Sequence, residues 1–251
     1  MIEIKNLCVD YKDGRAIDNL SLAIKPGCLT VLAAPNGGGK STLLKTICGL
    51  IEKSSGSILI DGTELSELSR QETAKKIAYM SQTRNTPNIQ AKRMVLHGRF
   101  PYLSYPRKYG KKDYEIATEA MKKTDVQNLA DSFLPDLSGG ERQRVYLAMT
   151  LAQDTGIVLM DEPMNFLDVR HQLELLELAK SMAAEGRTVV MVIHDIRIAM
   201  QEADELVVLS GGRLAAAGTA GEIYESGIIK EVFGVEIRYA ETEAGRRYYY
   251  L

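Results

Sequence analysis

The chain is poor in cysteine. Cys8, Cys28 and Cys48 are its only three, an odd number with no paired spacing. That argues against a disulfide framework or a cysteine-held metal and for reduced thiols of a cytosolic protein. No apolar run approaches the roughly 18 residues of a membrane span, and "MIEIKN" carries no signal-peptide core. Any membrane role must therefore come through a partner. Charge of one sign is not in excess either: 31 basic against 33 acidic residues leave a formal charge of −2, which gives no support to a nucleic-acid partner. Internal repeats and low-complexity tracts are also missing. What remains is ordinary for a soluble globular protein, 45% hydrophobic and 25% charged over 251 residues. That length suits one large α/β domain or two small ones.

The pattern along the chain is more telling. "IEIKNLCVDY" and "AIDNLSLAI" read as strands joined by the polar turn "KDGR". "CLTVLAA" reads as a short buried strand that leads through a glycine loop into the helix "KSTLLKTICGLI". "GSILIDG" and "KIAYMSQ" add two strands. From about residue 83 to 135 the composition shifts toward Lys, Arg, Tyr and Pro, with one amphipathic helix in "DYEIATEAMKKT". Apolar strands then return in "GIVLMDE", "RTVVMVIHD" and "DELVVLS", separated by helices in "RHQLELLELAKSMAAEG" and "IRIAMQEA". Such alternation predicts a parallel sheet covered by helices, with the middle stretch as a helical insertion.

Three motifs carry chemistry. "VLAAPNGGGKST" fits a nucleotide P-loop running from Asn36 to Thr42. Gly37, Gly38 and Gly39 let backbone N–H groups turn inward around phosphates at a helix N-terminus. Lys40 reaches the β- and γ-phosphates, the Ser41 hydroxyl suits Mg²⁺, and Thr42 faces the α-phosphate. "IVLMDEP" delivers Asp161 and Glu162 at a strand end, where open α/β sheets bind ligands. Asp161 is assigned to Mg²⁺ and Glu162 to orienting an attacking water. "LSGGERQR" opens a helix with a capping box, Ser138 and Glu141. The intervening Gly139 and Gly140 cost helix stability, and they bare the N–H groups to an anion.

This last stretch resembles the signature motif of ATP-binding cassette (ABC) ATPases, and the resemblance extends over about residues 1 to 235. It implies a P-loop ATPase core with a parallel sheet, an N-terminal antiparallel β subdomain and an inserted α-helical subdomain. The division is then 1–82 and 151–235 for the core, 83–150 for the helical subdomain and 236–251 for the tail, all within one nucleotide-binding domain. It implies further that Tyr11 stacks on adenine, that Gln82 senses Mg²⁺ and water, and that His194 contacts the γ-phosphate. Asp168, in "NFLD", falls at a subunit boundary. In this family Ser138 and Gly140 of one subunit cap the γ-phosphate held by Lys40 of another, so a second copy is implied, here as a homodimer.

Two positions depart from the family pattern. Ala34 stands at the first glycine of the loop, and it is harmful only if its φ is positive, at a cost on the order of 1 kcal/mol. Met164 replaces a frequent Thr before the D-loop. "HGRFPYLSYPRKYGKKD", "LDVRHQLELLEL" and the tail "GGRLAAAGTAGEIYESGIIKEVFGVEI" resemble the ATPase subunits of importers for iron–siderophore, haem and vitamin B12. That implies a groove in the helical insertion for a cytoplasmic helix of a permease dimer, at the cytoplasmic face of the membrane, with an extracytoplasmic binding protein beyond. The competing reading is an ABC-type ATPase outside transport, for example in iron–sulfur assembly. His171 reads as a helix-start residue without assigned chemistry, and "RRYYYL" as an edge strand.

Overall fold

The computed structural model describes residues 1–12, 14–82, 86–243 and 245–251. The expected turn "KDGR", through Asp13, and the start of the insertion at Thr83 lie outside them. In chain order the elements begin β1 (Ile2–Tyr11), β2 (Gly14–Ile24), β3 (Leu29–Ala33), α1 (Lys40–Ile47), β4 (Ser55–Ile60) and β5 (Thr63–Glu64). There follow α2 (Arg70–Lys76), β6 (Ile77–Met80), α3 (Ala91–His97), α4 (Lys111–Lys123) and α5 (Gly139–Ala152). Next come β7 (Ile157–Met160), α6 (Val169–Ala184), β8 (Thr188–Val192), α7 (Ile196–Glu202), β9 (Glu205–Ser210) and β10 (Arg213–Gly218). The chain closes with α8 (Ala220–Glu225), α9 (Ile228–Phe233), β11 (Ile237–Thr242) and β12 (Gly245–Tyr250).

Strand order in the six-stranded sheet is β10-β9-β3-β8-β7-β6, parallel except for β10. Its central strands are buried on both faces, which is why they read as unbroken apolar runs. The period of two divides their side chains between two cores. Leu29, Val31, Val158, Met160, Val189 and Met191 face the side covered by helices of the insertion and by α6 and α7. Leu32, Ile157, Leu159, Val190 and Val192 face α1 and the antiparallel sheet β2-β1-β4-β5. The expected P-loop helix stops at Ile47, short of Ile51, because Gly49 takes a left-handed φ of 67°. The final strand forms, but in its own hairpin with β11 rather than on a larger sheet. Tyr248 packs there with Tyr224 and Tyr239, ring centroids 6.0 and 6.1 Å away.

Arg99, at the start of the basic stretch after α3, turns inward, while residues 104–108 stay exposed. Arg99 is 5% exposed, and its Nη1 donates to the carbonyl of Ala152, 3.0 Å away, at the C-terminal end of α5. Its Nε donates to Asp113 Oδ1 at 3.1 Å, and its guanidinium lies 4.0 Å from the Tyr102 ring centroid. Gly98 makes this approach possible, since a Cβ there would sit 2.3 Å from the Met149 carbonyl oxygen. The Gly-Arg-Phe-Pro segment thus anchors the far end of the signature helix. Arg99→Ala should cost about 3 kcal/mol, because Asp113 and a helix-end carbonyl lose their buried donor. Lys108→Ala, on the exposed part of the same loop, should stay within about 0.5 kcal/mol. Urea unfolding of both variants checks the contrast.

Candidate functional site

Strands β3, β8, β7 and β6 are neighbours and all parallel, so the loops that leave them share one edge of the sheet. Those loops carry the P-loop, His194, the Asp161–Glu162 pair and Gln82.

The P-loop is built on its glycines. Gly39 has a φ of 91°, and a Cβ on it would lie 2.7 Å from Ile17 Cδ1 and 2.8 Å from the Ala16 carbonyl oxygen. Only glycine fits there, where the strand pair β1–β2 presses on the loop. Helix α1 starts at Lys40 with no acidic residue in its first turn, which leaves its N–H groups open to an anion. Lys40 is buried, and its ammonium donates to the carbonyls of Ala34 (2.7 Å) and Pro35 (3.1 Å). Burial holds that ammonium below its ordinary pKa, while Glu162 and Asp161 oppose the shift. Ala34 is buried and has no positive φ, so its methyl carries none of the conformational cost that would apply there. Tyr11 ends β1 with its hydroxyl 3.4 Å from Thr42 Oγ1, which brings the expected adenine platform beside the loop. Asn36 and Gly37 are exposed, Gly38 is buried, and Ser41 and Thr42 are half-buried at the start of α1.

Asp161 is 1% exposed, and its Oδ2 accepts the Tyr79 hydroxyl at 3.2 Å. Among the described residues its Oδ1 is buried with no partner. Such an oxygen is costly unless something positive completes it, and that fits a cation ligand. Glu162, also buried, has a left-handed φ of 52°. Its Oε2 accepts from Gln82 Nε2 (2.5 Å) and Asn165 Nδ2 (2.8 Å), and its Oε1 lies 2.6 Å from His194 Nε2. Gln82 therefore faces Glu162 here. Asn165 and Tyr79 belong to this cluster and were missed by motif reading. The signal for Asn165 was its position three residues past Glu162, in the turn closed by its N–H on the Glu162 carbonyl at 3.3 Å. Met164 packs half-buried against the helical-side core, and its carbonyl accepts the Leu167 N–H at 3.2 Å.

The signature residues form a second, separate cluster. The capping box is present: Ser138 Oγ accepts the Glu141 N–H at 3.3 Å, and Glu141 Oε2 accepts the Ser138 N–H and O–H at 2.9 and 2.7 Å. Those donors hold the Glu141 carboxyl below the usual range. Ser138, Gly139, Gly140, Phe166 and Asp168 line an open depression of about 710 Å³, to which the P-loop contributes no residue. Asp168 caps α6, and its Oδ1 accepts the His171 N–H at 3.0 Å.

A sequence-family profile described as ABC transporter matches residues 17–165. The achromobactin transport ATP-binding protein CbrD of Dickeya dadantii (strain 3937) is 36% identical over 94% of this chain and 89% of its own length. The ferric enterobactin transport ATP-binding protein FepC of Escherichia coli (strain K12) is 36% identical over 92% of this chain and 86% of its own. Among solved structures, the dimeric bacterial ABC transporter cassette MJ0796 superposes with a TM-score of 0.78 at 30% identity, covering 88% of this chain and 99% of that one. The same cassette has been solved bound to ADP and Pi. With a glycine loop opening a helix, an acidic strand end and a signature helix on one α/β frame, the chain belongs to the ABC transporter family as an ATP-binding, ATP-hydrolysing subunit.

Proposed function

We propose that this subunit powers an importer for an iron(III)–siderophore, and that two copies of it work as a homodimer. The reading includes haem and cobalamin as the neighbouring cargo chemistries. The observation that carries the dimer is the separation of the two clusters: within one chain the signature depression holds no P-loop residue. In this reading Ser138 and Gly140 meet the triphosphate of another subunit. Phe166, which lines that depression, and Val169 and Leu173, near the start of α6, are exposed apolar side chains suited to a second copy. The cargo reading rests on relatives named for achromobactin and ferric enterobactin. No helix among the described residues is long and apolar enough to cross a membrane. Attachment to the cytoplasmic face is accordingly assigned to a permease dimer, fed by an extracytoplasmic binding protein. The division into core, helical subdomain and tail, with the boundaries given above, belongs to the same proposal.

In this reading the ATP phosphates take the inward N–H groups of Gly37 to Lys40, and Tyr11 receives the adenine. Lys40 exchanges the carbonyls of Ala34 and Pro35 for phosphate oxygens, a stronger partner for an ammonium. Asp161 and Ser41, with Gln82, would hold Mg²⁺, whose chemistry is to neutralise charge on the transferring phosphoryl group. Glu162 releases donors from among Gln82, Asn165 and His194 and accepts a proton from the attacking water. His194 is half exposed and able to turn toward a γ-phosphate. Closure of the dimer and its release after hydrolysis supply a two-state motion that a permease can follow.

Glu162→Gln should lower ATP turnover by at least about 100-fold. It should also accumulate as an ATP-dependent dimer in light scattering; a variant that stays monomeric at saturating Mg-ATP sinks the dimer reading. Asp161→Asn should weaken nucleotide binding in the presence of Mg²⁺ by about tenfold or more while changing binding in EDTA little. Titration calorimetry under both conditions checks this, and equal losses would remove Asp161 from the metal.

A further inference from the structure

His171 has no place in the scheme above, yet its ring joins two parts of the signature cluster. On one side Nδ1 lies 2.8 Å from Asp168 Oδ1, and on the other Nε2 meets Arg144 Nη1. A guanidinium can only donate, so Nε2 must present its lone pair and the ring proton must sit on Nδ1. In that tautomer the ring donates to Asp168 and accepts from Arg144. Arg144 lies six residues after Ser138 on α5, roughly 9 Å along the same helix. Asp168 ends the loop that begins at Glu162. The ring thus connects the signature helix to the far end of the catalytic loop.

A second tie holds the near end. Gln143 Nε2, buried on α5, donates to the Pro163 carbonyl at 2.7 Å. Between the two ties sits Phe166, 79% exposed and with a φ of 65°, a left-handed conformation unfavourable to a bulky side chain. Nothing about Phe166 alone favours that conformation; it persists because its surroundings hold it. Its backbone rests against the signature glycines, where a Cβ on Gly140 would sit 3.0 Å from the Phe166 carbonyl oxygen. Loop and helix are fastened at both sides of the strained residue.

We propose that His171 is a positioning residue that locks the loop from Pro163 to Asp168 onto the signature helix, so that both move as one body when a neighbour's ATP is engaged. This rests on the dimer reading above. With Asp168 Oδ1 occupied by the His171 backbone and ring, Oδ2 is left to a donor on the second copy. Helix-start capping alone would need the His171 backbone N–H and no ring.

The first test needs no nucleotide. In protein labelled with ¹⁵N-histidine, long-range ¹H–¹⁵N spectra separate the two neutral tautomers and the imidazolium, and His97, His171 and His194 are assigned by single variants. His171 should show the Nδ1–H form and lose it in Arg144→Ala; an Nε2–H tautomer or an imidazolium at neutral pH overturns the proposal. The second test is functional. His171→Ala should lower kcat about tenfold with KM for ATP within about twofold, a size usual for coupling between sites. His171→Asn keeps a donor for Asp168 but is too short to reach Arg144 from the position of Nε2; it should fall with His171→Ala, and wild-type turnover in it would leave only a cap. In the Glu162→Gln background, adding His171→Asn should weaken the ATP-induced dimer about tenfold. An unchanged dimer refutes the link, whereas failure of Glu162→Gln itself to dimerise removes the dimer reading first, and the link with it.

Discussion

The buried carboxylate of Glu162 is the constraint around which the site is arranged. A charge so nearly sealed from water is tolerable only with donors, and they come from separate loops: Gln82 after β6, Asn165 in the following turn and His194 after β8. The donors can converge because β6, β7 and β8 are adjacent and parallel, so their C-terminal ends coincide. The left-handed φ of Glu162 belongs to the same arrangement, since it turns the chain sharply enough for Asn165 to return to the carboxylate. Sheet topology, backbone strain and hydrogen bonding here serve a single charged group. The proposed catalytic role asks that group to leave some of these donors for water.

Lys40 shows the same economy from the other side. Its ammonium sits among carbonyls and near two carboxylates, desolvated enough to lower its pKa but never without an acceptor. Under the proposed function, a phosphate entering the loop would exchange partners with the carbonyls instead of rescuing an isolated charge. The methyl of Ala34 is buried beneath this exchange and leaves the carbonyl free to take part.

Much of this was legible in the sequence, for identifiable reasons. Strands β3, β7, β8 and β9 are apolar on both faces, and runs such as "IVLM" and "LVVL" announce that without any partner in view. The P-loop, the Asp161–Glu162 pair and the Ser138–Glu141 box are local patterns whose chemistry depends on spacing along the chain. What escaped depends on contacts made by folding. Tyr79 reaches Asp161 only because β6 and β7 pair, across 82 positions. Helix α3 is only seven residues long and shows too few turns for a period to emerge. Helix α2 did carry a readable start, the Ser69–Glu72 capping box, but lay in a polar stretch without an apolar stripe. The inward turn of Arg99 could not be read at all, because a basic loop and a buried cap share the same composition.

The terminal hairpin makes one more connection. Tyr250 donates its hydroxyl to Asp195 Oδ1 at 3.0 Å, on the oxygen that also accepts the first N–H groups of α7. Asp195 is the next residue after His194. The terminal hairpin, although it lies outside both large sheets, thus shares an acceptor with the start of α7, one residue from the imidazole that contacts Glu162. The last strand therefore packs within one residue of the Glu162 cluster, far from it in sequence but adjacent in the fold.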